Sequence, residues 1–135
     1  MQFVPGNRRF WIRSLMSLAV LALAGTVKVE AAEGKVSGSC VATCRECASL
    51  CKNCSVCCKE DKPSCSKTCD ACHHLCSACA TLCEQDSPLA YDVCVQCEKM
   101  CTACAEMCEK SDKDCCKSCA ETCRKCAAEC KKSRG

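Results

Sequence analysis

The sequence predicts an all-α protein, an antiparallel up-down four-helix bundle with a cysteine-lined core, and three observations carry that expectation. The chain of 135 residues holds 24 cysteines, and from position 40 onward 22 of them advance in steps that alternate between three and four. That alternation is the 3.5-residue period of an a/d seam, so each run of cysteines draws one stripe along one face of an α-helix. Glycine and proline never interrupt a stripe and fall only outside them. Finally, residues 32–135 contain no Phe, Trp or Ile, and Tyr91 is their one aromatic residue. An oily core is therefore excluded, and the interior has to be filled largely by cysteine, which buries readily as a small hydrophobe and also binds soft metals.

The first element, residues 1–31, reads as an export signal: a basic patch, the apolar run Leu15–Leu23, and a small-residue cleavage site ending at Ala31, with Ala22-x-Ala24 as the alternative site. The apolar run is too short to span a bilayer, so no stable membrane insertion is expected once the signal is removed. Its basic patch, Asn7-Arg8-Arg9-Phe10-Trp11-Ile12-Arg13, resembles a twin-arginine signal, the alternative being a general secretory signal whose arginines are adjacent by chance. The twin-arginine route carries folded proteins, so the thiols would be placed in the reducing cytoplasm before reaching an oxidising compartment, here the periplasm.

Residues 32–135 form the bundle domain, with helices expected at about 39–58, 63–83, 88–109 and 112–131. The first stripe is Cys40, Cys44, Cys47, Cys51, Cys54 and Cys58; the second is Cys65, Cys69, Cys72, Cys76, Cys79 and Cys83. The third is Cys94, Cys97, Cys101, Cys104 and Cys108, and the fourth is Cys116, Cys119, Cys123, Cys126 and Cys130. Cys57 and Cys115 fall at g positions beside the stripes. Pro63 suits the first turn of the second helix, Ser87-Pro88 supplies an N-cap and a first-turn proline for the third, and Ser111-Asp112-Lys113-Asp114 is a capping-box variant for the fourth. Leu50, Leu75, Leu82, Val93, Met100 and Met107 occupy g positions, and alanines such as Ala48, Ala80, Ala105 and Ala120 occupy e positions, which lets neighbouring helices approach closely. Short loops make the helices antiparallel neighbours.

Charge narrows the function. The formal +3 of the whole chain arises in the leader, leaving fifteen basic and fifteen acidic residues in 32–135. With neither a basic patch nor stacking aromatics, the domain does not read as a nucleic-acid binder. No acid/base constellation or phosphate loop is recognisable. A catalytic dithiol needs one activated pair in a distinctive setting, whereas this chain repeats the pair throughout, so no enzyme is expected.

Cysteine at every a and d position calls for a chemical purpose, since Leu or Ile would pack better. Disulfides are one reading, but thiols three or four apart on one helix project in parallel and reach the disulfide torsion only under strain. Zinc would need four thiolates converging tetrahedrally, and continuous stripes offer no discrete set of four. An iron–sulfur pattern begins at Cys51-x-x-Cys54-x-x-Cys57 but meets Asp61 where its fourth cysteine belongs. Copper(I) fits best: it is soft, selects thiolate, and accepts two or three sulfurs. Cysteines at i,i+3 and i,i+4 are neighbours on a helix, so each pair could grip one ion, each sulfur could bridge to the next, and monovalent cations would cancel thiolate charge nearly one for one. All 24 cysteines, Cys57 and Cys115 included, are thus candidate ligands for multiple Cu(I) ions.

Across residues 40–130 the repeated Cys-x-x-Cys and Cys-x-x-x-Cys spacings resemble those of the Cys-rich four-helix-bundle copper storage proteins. The resemblance implies high-capacity Cu(I) storage or sequestration, and the leader is similar to that of exported members. It also implies His or Met near a bundle mouth to admit copper; here His73, His74, Met100 and Met107 are the residues of those types, with His73 the better candidate for an accessory ligand or an interface contact. A cuproenzyme or a copper carrier is an expected partner, and homo-oligomerisation is compatible with the sequence. Two alternatives stand beside storage: a disulfide-stapled structural protein, and a copper chaperone or detoxification protein.

Overall fold

The computed structural model describes residue 36 and residues 38–135, and the export signal expected at residues 1–31 lies outside the described residues. Four helices follow one another: α1 (Gly38–Cys57), α2 (Pro63–Glu84), α3 (Ala90–Cys108) and α4 (Asp114–Ser133). No strand occurs among the described residues. Each helix packs on two neighbours, α1 on α2 and α4, and α3 on α2 and α4, while the backbones of diagonal helices stay apart. The fold is the all-α four-helix bundle that the cysteine period predicts.

The helix ends show why the breaks fall where they do. Pro63 occupies the first turn of α2, where its missing N–H would have no intrahelical partner in any case. Between α2 and α3, Asp86 adopts a left-handed conformation at φ 50°. This lets the Ser87 N–H donate to the Leu82 carbonyl at 3.0 Å and the Asp86 N–H to the Cys83 carbonyl at 3.2 Å, the pair of bonds that closes a Schellman turn. Ser87 then acts three residues before the helix proper. Its Oγ accepts from the Leu89 N–H at 3.1 Å and its carbonyl from the Ala90 N–H at 3.0 Å, so Pro88 lies in the turn and α3 opens at Ala90 rather than at 88. Ser111 behaves alike, accepting from the Lys113 N–H at 3.2 Å, and α4 opens at Asp114 rather than at 112. In both places the serine caps a turn that precedes the helix, a distinction that spacing alone does not carry.

Antiparallel order is visible in the pairs that tie neighbours. From α1 to α2, the Ser66 Oγ donates to the Ser55 carbonyl at 2.7 Å, Lys52 lies 3.7 Å from Asp70, and the His73 Nδ1 meets the Ala48 carbonyl at 2.8 Å. Partners thus rise along one helix as they descend along the other. Ala48, Ala80, Ala105 and Ala120 are buried between helices, while Leu50, Leu75, Leu82, Val93, Met100 and Met107 are half-buried at the shoulders. Exposed charge covers the outside, with Arg45–Glu84 at 2.6 Å and Arg124–Glu109 at 2.7 Å.

Candidate metal centre

The core of the bundle is sulfur. Every one of the 22 stripe cysteines is a buried thiol, and all are fully inaccessible except Cys65 and Cys83, each 4% exposed at opposite ends of α2. Because helix side chains three and four apart lie above one another on the same face, each stripe projects into the bundle axis. There it meets the facing stripe rung by rung.

Between α1 and α4 the rungs are Cys40–Cys130 at 3.8 Å, Cys44–Cys126, Cys47–Cys123 and Cys51–Cys119 at 3.6 Å, and Cys58–Cys116 at 3.3 Å. Between α2 and α3 they are Cys65–Cys108 at 3.8 Å, Cys69–Cys104 at 3.7 Å, Cys72–Cys101 at 3.8 Å, Cys76–Cys97 and Cys79–Cys94 at 3.7 Å, and Cys83–Cys94 at 3.6 Å. The sulfurs also reach across the diagonals that the backbones do not: Cys47–Cys101 and Cys54–Cys108 at 3.9 Å join α1 to α3, and Cys69–Cys119 at 4.0 Å joins α2 to α4. Within one helix, i,i+4 sulfurs such as those of Cys40 and Cys44 lie at 4.0 Å and those of Cys47 and Cys51 at 3.9 Å. The shortest approaches therefore run between helices, so neighbouring helices, as much as one stripe, define each candidate site.

Two expectations change as a result. The sulfurs do form sets of four, each set lying within 4.8 Å of one another, for example Cys47, Cys72, Cys76 and Cys101, or Cys51, Cys104, Cys119 and Cys123. A discrete quartet is thus available to a tetrahedral ion such as zinc, and its absence is no ground against zinc. Quartets arise because four antiparallel stripes converge on one axis, which the spacing along a single helix does not reveal. They also overlap: Cys47 belongs to a second set with Cys51, Cys72 and Cys123. Shared ligands suit an ion that tolerates bridging sulfurs and low coordination number, which is the behaviour of Cu(I).

The second change concerns Cys57 and Cys115. Sequence reasoning placed both among the metal-ligating thiols, but they are joined to each other in a disulfide between the end of α1 and the start of α4, with Cα atoms 6.7 Å apart. As a disulfide they offer no thiolate. The sequence shows only that both cysteines stand off the stripe at g positions; that they meet depends on which helices become neighbours.

The thiols differ in how readily they ionise. Hydrogen bonds from Cys101, Cys130 and Cys44 hold the Cys126 thiol down at about 7. Burial, followed by the Cys94 contact, pushes Cys83 up to about 12, and burial leads in raising Cys54 and Cys65. Within one core, then, thiols held down lie beside thiols pushed up. A monovalent cation entering it replaces a proton at the raised sites.

The histidines lie on the outside of this arrangement. His73 is half-buried, with its Nδ1 engaged by the Ala48 carbonyl, an interface contact between α1 and α2. His74 is exposed, 3.6 Å from Asp70. Met107 shares a depression of about 190 Å³ with Cys65, Lys62, Pro63, Ser64, Lys110 and Ser111 at the Cys58 end of the bundle. Met100 is half-buried on the shoulder of α3. No helix among the described residues is long and apolar enough to cross a membrane.

Solved structures share this architecture. The Cu(I)-bound copper storage protein BsCsp3 is 28% identical with a TM-score of 0.71, the match covering 74% of this chain and 99% of that one. The apo form of copper storage protein 3 from Bacillus subtilis is 30% identical with a TM-score of 0.68, covering 71% of this chain and 96% of that one. No curated protein matches the sequence. The family model of the copper storage proteins matches residues 33–135, the whole of the thiol-lined bundle. The chain belongs to the copper storage protein family.

Proposed function

We propose that the chain stores Cu(I) at high capacity, its cargo held by the thiolates of the 22 stripe cysteines along the bundle axis. The observation that carries this reading is the unbroken ladder of sulfurs at 3.3–4.0 Å running from Cys40–Cys130 to Cys58–Cys116. A chaperone that passes one ion to one partner needs one or two sites, and a disulfide scaffold needs oxidised pairs. Here 22 buried thiols share a single interior, which supports storage over a one-ion hand-over or a stapled scaffold. The family and the Cu(I)-bound neighbour select copper over zinc. If each sulfur pair holds one ion the core takes about 11 ions, and if each sulfur bridges two it takes about 22.

An anaerobic titration with Cu(I) against a chromophoric chelator, on protein whose 22 stripe cysteines are thiols and whose Cys57–Cys115 disulfide is intact, tests this reading. A plateau of about 11–22 ions supports it, and saturation at about one to four ions would sink it in favour of a chaperone. The depression that brings Met107 beside Cys65 is our proposed entry point for copper.

Export belongs to the same proposal and rests on Arg8-Arg9 and the apolar run that follows. Loading would then precede export to the periplasm, where a cuproenzyme or a copper carrier draws on the store. Changing both arginines to Lys keeps the patch positive while removing the paired guanidinium groups. The double variant should stay in the cytoplasm; normal export would overturn the twin-arginine route.

A further inference from the structure

The structure contains two cysteine pairs side by side at one end of the bundle, and they are in different redox states. Cys57 is the last residue of α1 and Cys58 follows it, while Cys115 and Cys116 lie in the first turn of α4. Cys57 and Cys115 are a disulfide, whereas Cys58 and Cys116 are thiols in the closest sulfur approach of the whole ladder, 3.3 Å. Beneath them Cys116 also meets Cys54 at 3.7 Å and Cys65 at 4.0 Å. The disulfide therefore lies beside the last rung of the tube of thiols, on its more exposed flank.

Its surroundings admit a reductant. Cys57 is exposed and Cys115 half-buried, and a surface depression of about 470 Å³ beside Cys57 is lined by Val56, Lys59, Glu60, Asp61 and Lys113. The Lys113 ammonium donates to the Cys57 carbonyl at 3.0 Å and to Asp61 at 2.8 Å.

We propose that the Cys57–Cys115 disulfide is a redox-removable cap, and that its reduction by a dithiol adds a Cu(I) site to this end of the store. A thiolate of the dithiol attacks one sulfur of the disulfide, the other sulfur leaves, and the second thiol of the reductant resolves the mixed disulfide. Two electrons and two protons pass to the protein, giving Cys57 and Cys115 thiols, and the reductant becomes a disulfide. The two new thiols stand beside Cys58 and Cys116 at the end of the stripes, and Cu(I), unchanged in oxidation state, displaces their protons. With the cap closed those two ligands are lost and α1 is tied to α4; with it open this end both holds and exchanges copper. The inference rests on the storage reading above.

The test compares three samples of the full chain under anaerobic conditions: with the disulfide intact, after reduction by a dithiol that is then removed, and as the double variant C57S/C115S. Alkylation and mass spectrometry fix the thiol count of each. The reduced protein should bind about one Cu(I) more than the oxidised protein and should release copper to a chromophoric chelator severalfold faster. The double variant should match the oxidised capacity while releasing copper at the reduced rate, which separates the cap from the ligands; should it not fold, the oxidised and reduced wild-type samples decide the question. Equal capacity and equal rates in those two samples overturn the proposal and leave storage intact, as does a disulfide that the dithiol does not open. Uptake of only a few ions by every sample overturns storage and the cap together.

Discussion

The two ends of the bundle close by different chemistry. At the Cys58 end a covalent bond, Cys57–Cys115, joins α1 to α4, supported by Lys113 on Asp61 at 2.8 Å. At the Cys40 end the same two helices are joined by the Ser39 Oγ donating to Glu129 at 2.8 Å, and α4 is tied to α3 by Arg134, which pairs with Glu98 at 2.5 Å and reaches the Cys94 carbonyl at 3.5 Å. Between the ends the thiol ladder is much the same from rung to rung. The contrast teaches that the store itself is uniform and that what distinguishes one mouth from the other is its closure: one end answers to redox state, the other to salt and to charge.

The largest perturbation should erase the contrast. Cu(I) binds only where folded helices bring sulfurs together, and each site contributes ~2.7 kcal/mol of stabilisation at a hundredfold excess over its dissociation constant. Loading many sites should therefore raise the melting temperature steeply and protect both ends from amide exchange to the same degree. Calorimetry and hydrogen exchange on apo and loaded protein measure this. An apo-like melting temperature in loaded protein would mean that copper binds outside the core.

Removing the disulfide should then sharpen the contrast in the apo protein. The bond closes a loop of 58 residues, for which the chain-entropy account gives ~4 kcal/mol. Denaturant unfolding of C57S/C115S should show a loss of that order, and amide exchange should accelerate most at the end of α1 and the start of α4. Equal acceleration at the Cys40 end would show that the ends are not independent.

How much of this was legible in the sequence follows from which contacts are local. The stripes were legible because the a/d period is a property of one helix, and the same period placed all 22 core thiols. Pro63 was legible as a helix start because its ring fixes φ wherever it sits. Ser87 and Ser111 were harder, since a serine can cap a turn as well as a helix, and the choice depends on the chain that follows. The Cys57–Cys115 bond and the quartets of sulfurs depend on which helices become neighbours, and that is settled by packing. Asp86 in a left-handed conformation carried no signal, because the position usually selects glycine.

pH acts on the thiols themselves. Cys83 rises from an ordinary 9.0 to about 12 in the fold, so the folded state holds its proton more tightly than the unfolded chain. The stability this contributes is present below pH 9.0 and is lost as pH rises from 9.0 towards about 12. Cys126 is depressed from 9.0 to about 7; its contribution is present above 9.0 and is lost as pH falls towards about 7. Cys54 and Cys65, raised by burial like Cys83, act in the same direction as it does, so the apo protein should lose stability as pH rises above 9.0. Copper-loaded protein, whose thiols carry no exchangeable proton, should show no such alkaline loss. Chemical unfolding of both forms from pH 7 to 11 gives the profiles, and matching alkaline losses would place the titration outside the ladder.

The smallest effect belongs to the ionic closure. Arg134 and Glu98 are only partly exposed, at 17% and 26% of their side-chain surface, yet a single pair near solvent contributes ~0.2–1 kcal/mol and weakens as salt screens it. Arg134→Ala should lower apo stability by about that amount at low ionic strength and by less in molar salt. The loss should show as faster amide exchange at the end of α4 and the start of α3, with the Cys58 end unchanged. Because Arg134 reaches the backbone carbonyl of Cys94 and not its thiol, copper capacity should stay constant while release at the Cys40 end quickens slightly at low salt. A variant that loses capacity instead would make this end part of the binding apparatus, and the division between a uniform store and two distinct closures would fail there.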